Sequence, residues 1–425
     1  MQKFISTYIK GDKIIWAIFV IMIIVSAVTM YSASSSLAHK AVAKGGTYYS
    51  PVWMHVMFLL GGLAVVFFVH KLPFKYIMMA VRPMYIASLI LLVLTPIIGV
   101  SVNGARRWIS LFGILFQPSE LVKVSTVLFL ACLLSQYQNK KDKTPDDGLW
   151  RYLVCLMVPS VIIMVDNLST ALLLVLIGFM MMYFARLSWK LLLKMIGIGV
   201  LGVSLVIGVI WLAPEAETHV SSSEHTVMTQ QQASGLLPRL TTWKKRLSRF
   251  FEETPEEEKY TLTEENYQER RAKIAVANGK WFGLGIGNSV QRDFLPLAYA
   301  DFIFSLMIEE VGFLAIFVII LYLAFMYRVG VLIKKQCNSV AQSLIALGLS
   351  SMIMVQTYIN VFIAVGLAPV SGQPLPLFSR GGTSILITSL YFGIILCISK
   401  TAMEQNEEAK MQKARKQAES CDKGN

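Results

Sequence analysis

Long apolar runs separated by short polar segments organise most of the chain. A helix needs about 20 predominantly apolar residues to cross the hydrocarbon of a bilayer. Ten runs approach that length: 14–32, 52–70, 84–100, 119–136, 151–166, 168–185, 191–212, 298–326, 340–366 and 383–399. The break at Asp166-Asn167 is short, so 151–166 and 168–185 read either as two helices or as one with a polar interruption. The first run has no small-residue cleavage site after it and reads as a retained helix, not a signal peptide. The pattern predicts an all-α membrane protein of about ten transmembrane helices.

The polar segments orient these helices. Lys71, Lys75 and Arg82; Lys140, Lys141, Lys143 and Arg151; Arg186, Lys190 and Lys194; and Arg328, Lys334 and Lys335 all fall on one side if there are ten spans. Lys3, Lys10 and Lys13 before the first span, and Lys410, Lys413, Arg415 and Lys416 after the last, fall there too. Positive charge is retained inside, which places both termini in the cytoplasm. The opposite side then carries 33–51, 101–118, the long segment 213–297 and 367–382. A connection as long as 213–297 is functional or disordered in most proteins. Within it, Ser221 to Gln232 is polar, and 236–251, rich in Arg and Lys, is either an amphipathic helix on the outer leaflet or a solvated charged helix. The domain reading is one transmembrane unit over 1–400, with 213–297 as an extracytoplasmic loop, followed by a charged helical tail at 401–425.

Composition agrees. Of the 425 residues, 55% are hydrophobic and 15% charged, against about 25% charged in soluble domains. The net charge of +13 is accounted for by the cytoplasmic loops. No basic patch sits on a soluble module, so nucleic acid is not an expected partner. Five Cys and five His show neither paired nor metal-binding spacing.

Three polar clusters fall on the outer side. In the first, SVNGARRWISLFGILFQPSELVK at 101–123, Arg106 and Arg107 stand where positive charge is normally avoided. Guanidinium matches phosphate, so the pair reads as an anion site, or else as a bridge to lipid headgroups or to Glu120. Glu120 and Lys123, three apart on one helix, can face the same way, and an ionisable pair at that depth is a functional candidate. The second cluster holds the glycine-rich GLGIGNSVQ at 283–291, then Asp301, Glu309 and Glu310. Glycines there allow close backbone approach to a ligand, but no lysine follows as in a nucleotide P-loop. Asp301 opens an apolar helix and is either a cap or a general base. The third cluster, GLAPVSGQPLPLFSRGGTS at 366–384, is an irregular loop with Arg380 and Ser384 as its polar ends. Such backbone at membrane depth is buried in protein or lines a cavity. Together the clusters suit a phosphate-bearing, lipid-linked substrate at the outer leaflet. Residue physics alone does not separate an enzyme from a flippase.

The motifs NGARRW, QPSELVK, GLGIGNSVQ, LPLAYADFIFSLMIEEVG and GLAPVSGQPLPLFSRGGTS resemble the SEDS family (shape, elongation, division and sporulation), its division branch more than its elongation branch. The resemblance covers residues 14 to 400. It implies a peptidoglycan glycosyltransferase that polymerises lipid II at the outer face of a bacterial cytoplasmic membrane, at the division septum. It further implies a class B penicillin-binding protein (a transpeptidase) and other divisome membrane proteins as partners. The family's essential aspartate falls on Asp301 as general base. Arg107 is expected to hold pyrophosphate, Glu120 and Lys123 to shape the cavity, and Gln291 and Ser384 to line the substrate site. A divalent cation, Mg or Mn, is expected at the leaving pyrophosphate, although no ligand motif marks it.

Four places depart from the family pattern. The junction that usually reads P-D-x-G-T is Asp166-Asn167-Leu168-Ser169-Thr170; Ser371 replaces a usual Lys; Arg380 stands where Tyr is common; and Tyr299 and Ala300 precede the aspartate where His or Thr is usual. The alternatives are a lipid II flippase, which should show discontinuous helices and midplane charges, a non-catalytic divisome scaffold, and a polymerase of another lipid-linked glycan. The midplanes read as apolar, which favours the enzyme.

Overall fold

The structure, a computed structural model, describes residues 10–43, 45–102, 105–111, 113–138, 148–212, 266–295 and 298–422. The polar stretch Ser221 to Gln232, the proposed amphipathic helix at 236–251 and the basic residues Lys140, Lys141 and Lys143 lie outside the described residues.

The apolar runs are helices: α1 (Lys13–Ala33), a short α2 (Ser35–Ala43), α3 (Ser50–Lys71), α4 (Phe74–Ile98), α5 (Pro118–Gln138), α6 (Leu149–Asp166), α7 (Leu168–Phe184) and α8 (Trp189–Leu212). After the long connection come α9 (Tyr267–Gly279), α10 (Gln291–Phe294), α11 (Ile303–Val311), a 3₁₀ turn at Gly312–Ala315, α12 (Ile316–Lys335), α13 (Val340–Ala364) and α14 (Gly382–Asp422). Seven segments are long and apolar enough to cross a membrane, α11 to α12 counting as one, and Leu149–Val165 and Leu168–Phe184 are shorter apolar helices. With α8 they make the ten expected crossings of a multi-pass membrane protein.

Several boundaries differ from the pattern, each for a local reason. The third span begins at Phe74 and not at 84, because the helix runs through Pro83. Proline is tolerated inside transmembrane helices, where neighbours and water satisfy the freed carbonyl. The fifth and sixth spans are two helices: Asn167 is extended (φ −153°, ψ 97°), ends α6, and caps α7 by accepting from the Thr170 N–H. The last span and the tail are one helix, so position 400 is not a break. The described residues between α4 and α5 are not plain loop. They form a three-stranded antiparallel sheet, β1 (Val100–Val102), β2 (Ala105–Leu111) and β3 (Ile114–Phe116). The eighth span starts at Ile303, not 298, and is discontinuous at the 3₁₀ turn. An apolar run reveals neither feature.

The core is the inner face of the bundle. α14 lies along α3, α4 and α13 lie on α5, and α1 lies against α12. Small residues permit the closest of these contacts: a Cβ on Gly62 of α3 would collide with Ser389 of α14, and one on Gly393 of α14 would come within 3.0 Å of Val69. Helices in lipid associate through such close packing, since burial from water adds nothing between them.

Polar contacts gather at the two ends. At one end Asp12 accepts from the Ile14 and Ile15 N–H groups and pairs with Arg328 Nε at 2.6 Å. Lys400 Nζ donates to Lys71 O at 3.1 Å, and Asn406 Nδ2 donates to Gln336 O at 3.0 Å. This end gathers the positions that the charge pattern assigns to the cytoplasm. Asp12→Asn keeps the helix cap and loses the ion pair, whereas Asp12→Ala loses both. Thermal unfolding in detergent is expected to rank wild type above Asp12→Asn above Asp12→Ala, with the last step about 1 kcal/mol, the usual worth of a cap.

Candidate active site

The opposite end holds all three polar clusters, in two connected groups. The first group is built around Asp301. The residue sits in a turn, one position before Phe302, which caps α11 without a side-chain bond. Asp301 therefore does not open the helix as the sequence suggests. Its backbone is fixed from outside the segment. Arg380 N–H donates to Tyr299 O at 2.8 Å, Ser379 Oγ donates to Ala300 O at 2.5 Å, and Asn360 Nδ2 donates to Asp301 O at 2.9 Å. Three successive carbonyls are thus held by the irregular loop 366–381 and by α13. The Asp301 side chain is half-buried. Gly372, with φ +69°, lies against it, and a Cβ there would sit 3.8 Å from Oδ2.

The loop that grips this turn is itself pinned. Asn360 Nδ2 also donates to Gln373 O at 2.8 Å, and Gln373 Nε2 donates to Thr170 Oγ1 at 2.7 Å. Gln356 Nε2 donates to Pro374 O at 3.0 Å, and Ser26 Oγ donates to Leu377 O at 2.7 Å. Leu377 has φ +66°, a conformation in which a bulky residue is a genuine outlier. The loop 366–381 is therefore irregular backbone buried in protein, as its membrane depth requires.

The departures from the family pattern meet here. The Arg380 guanidinium stands over the Tyr299 ring, 5.6 Å from its centroid. Burial pushes the Tyr299 phenol up, Arg380 opposes this, and Asp301 adds to the rise. Burial also lowers Arg380, and Tyr299 works against that. Residues 299 and 380 form one cation–π pair between the two loops.

Glu120 and Lys123 also belong to this group. Both sit near the start of α5 and pair at 2.8 Å, with no exposed surface on the Lys123 side chain and 8% on that of Glu120. Lys123 Nζ lies 3.4 Å from Gln356 Oε1, so the pair reaches loop 366–381 through Gln356. Arg107 lies on β2. The register pairs Val100 with Trp108 and Ser101 with Arg106, leaving Arg107 as the extra residue of a β-bulge. A bulge re-aims a side chain, and here Arg106 is exposed while Arg107 is half-buried. Thr383 Oγ1 donates to Leu115 O at 3.3 Å, which ties the sheet to the first turn of α14, where Ser384 is buried.

The second group is organised by Glu309, which is fully buried. It accepts from Asn278 Nδ2 at 2.9 Å, from Gln291 N–H at 3.1 Å, and from Ser289 Oγ. Glu310 accepts from Ser32 Oγ of α1. The glycine-rich loop closes on the broken span: Leu284 N–H donates to Glu309 O at 2.9 Å and Gly285 N–H to Glu310 O at 2.8 Å. Gly283 (φ +72°) and Gly312 (φ +59°) face each other so closely that a Cβ on either would strike backbone. The close approach that the sequence suggests for a ligand is made instead to the chain's own helix break. The Gln291 side chain accepts from Arg271 Nη1 at 3.3 Å. Its contacts thus belong to the Glu309 group, not to the turn that holds Asp301.

The sequence reading missed Gln356, Asn360, Gln373 and Ser379. A signal was present, since Gln356 and Asn360 are polar residues one turn apart inside an otherwise apolar span.

Fold and site together define a class: a many-helix membrane protein with a carboxylate turn, a buried ion pair and a bulged arginine at one membrane face. The chain belongs to the Cell cycle protein family that groups FtsW, RodA and SpoVE, whose sequence model it matches over residues 12–404. It is similar to a protein of Nitrosococcus halophilus named "Probable peptidoglycan glycosyltransferase FtsW", with 31% identity over 86% of this chain and 86% of that protein. A protein of the same name from Bacillus subtilis is 27% identical over 94% of this chain and 92% of its own length. Two solved structures share the fold at 21% identity. Rod shape determining protein RodA of Thermus thermophilus has a TM-score of 0.61 and covers 93% of this chain and 98% of its own. A chain from "Structural coordination of polymerization and crosslinking by a peptidoglycan synthase complex" has a TM-score of 0.67 and covers 92% and 98%.

Removing one member of a buried ion pair leaves an uncompensated charge and costs about 3–5 kcal/mol. Glu120→Ala is therefore expected to destabilise the protein strongly in thermal unfolding. The double variant Glu120→Gln with Lys123→Met is expected to recover most of the loss, because neither charge is then left buried.

Proposed function

We propose that the protein is a peptidoglycan glycosyltransferase that polymerises lipid II at the outer face of the cytoplasmic membrane, during septal wall synthesis. The observation that carries this reading is the Asp301 turn: a half-buried carboxylate whose preceding and own carbonyls are all held by other elements. A general base must be held within hydrogen-bond reach of the proton it takes. Membership of the family and the names of its relatives support the same reading.

In this mechanism the Asp301 carboxylate accepts the proton of the acceptor sugar hydroxyl. The freed oxygen lone pair forms the new bond to the donor's anomeric carbon. The bond from that carbon to the pyrophosphate oxygen breaks, and the lipid pyrophosphate departs with the electron pair. Asp301 then returns its proton to water. Arg107 meets the pyrophosphate charge, as guanidinium suits phosphate oxygens. The Glu120–Lys123 pair is tied to the loop 366–381 through Gln356, and Ser384 stands in the first turn of α14 beside it; Gln291 acts on the site through the Glu309 group. Among the described residues no three of His, Cys, Asp or Glu converge as a metal site. A divalent cation, Mg or Mn, would neutralise charge on the departing pyrophosphate, and no step is routed through it.

The broken eighth span is the feature a flippase would also need. Here Glu309 and Glu310, just before the break, are occupied by the chain's own Asn278, Ser289, Gln291 and Ser32, which supports a structural break. A class B penicillin-binding protein and other divisome membrane proteins are the proposed partners.

The test is polymerisation of purified lipid II with the cognate transpeptidase present. Wild type is expected to make glycan chains, and equally stable Asp301→Ala and Asp301→Asn forms to make none. Activity in Asp301→Asn would remove the general-base role. Arg107→Ala is expected to retain polymerisation with a KM raised at least about tenfold, the usual scale of one lost charge-assisted contact.

A further inference from the structure

Asn360 is fully buried in α13, and the direction of its amide is fixed by its partners. Both contacts, to Asp301 O at 2.9 Å and Gln373 O at 2.8 Å, are to carbonyl oxygens. Carbonyls only accept, so the NH₂ group must face them. One side chain therefore joins the turn that carries Asp301 to the loop 366–381 that closes over it. The remaining atom, Oδ1, is buried with no hydrogen-bond partner among the described residues. One turn earlier on the same face, Gln356 repeats the arrangement between Lys123 Nζ and Pro374 O. The two amides form a ladder from the Glu120–Lys123 pair, through residues 373 and 374, to the backbone of Asp301.

We infer that Asn360 is a positioning residue for the glycosyl transfer: it sets the place of the Asp301 carboxylate through its hold on the Asp301 carbonyl. The inference rests on the proposed role of Asp301. A displacement of about 1 Å at a reacting group costs on the order of 10²-fold in rate. The two other holds on this turn, from Ser379 and the Arg380 N–H, grip the carbonyls of the preceding residues, whereas Asn360 grips the carbonyl of Asp301 itself.

The experiment measures kcat and KM for lipid II polymerisation, lipid II affinity and the unfolding midpoint for wild type, Asn360→Ala, Asn360→Ser and Asp301→Ala, each full-length with its transpeptidase. Asn360→Ala is expected to lower kcat about 100-fold, with KM and affinity within about threefold; two carbonyls lose their donor, so the unfolding midpoint falls too, and kcat is measured at a temperature where the variant is fully folded. Asn360→Ser keeps one donor and is expected to recover part of kcat. If Asn360→Ala does not fold, the Ser variant decides: a kcat loss without an affinity loss supports positioning. Two results overturn the inference: a folded variant with kcat within threefold of wild type, or a kcat loss accompanied by an equal loss of lipid II affinity. If Asp301→Ala is itself active, the base assignment fails instead, and the two failures are thereby told apart.

Discussion

The site depends on three consecutive carbonyls, at Tyr299, Ala300 and Asp301, each taken by a donor from another part of the chain. A turn at the mouth of a membrane bundle leaves its backbone groups without helical partners, and unpaired polar groups at that depth are costly. The fold resolves this by laying the irregular loop 366–381 against the turn. The same contacts that satisfy the backbone also fix where the Asp301 carboxylate stands, so structural necessity and chemical placement have one cause.

The rest of the bundle supports that junction. Small residues bring α3 and α14 together, and α14 carries the end of the loop. Asn167 separates α6 from α7 and so presents Thr170 to Gln373. The buried Glu120–Lys123 pair is neutral as a unit and reaches the loop through Gln356. Glu309 and Glu310 hold the glycine-rich segment against the break in the eighth span and link it to α1 through Ser32. At the break itself, Gly283 and Gly312 face backbone at distances that exclude a side chain.

Much of the fold was legible because lipid imposes a simple rule on sequence. A span of about 20 apolar residues has few alternatives, and charge asymmetry orders the loops. Helix existence was therefore readable, while Pro83 and the break at Gly312 displaced boundaries. The sheet at 100–116 was not legible, because its strands are short and Arg106-Arg107 interrupts any alternation. Asp301, Glu120, Lys123 and Ser384 stand out in the sequence because charge and irregular backbone are rare at that depth. Asn360 and Gln356 were passed over because an uncharged amide scarcely disturbs an apolar run. Gln291 and the glycine-rich loop read in sequence as facing a ligand; in the structure Gly285 N–H donates to the Glu310 carbonyl and Gln291 N–H to the Glu309 carboxylate, contacts that no sequence pattern announces.

The most direct measurement is a structure of the Asp301→Asn form, in complex with its transpeptidase, with lipid II bound. The account predicts the acceptor sugar hydroxyl within hydrogen-bond distance of the residue 301 side chain, about 3 Å, and the donor pyrophosphate against Arg107. Lipid II ordered elsewhere on the outer face, with the 301 side chain facing only protein, would contradict it.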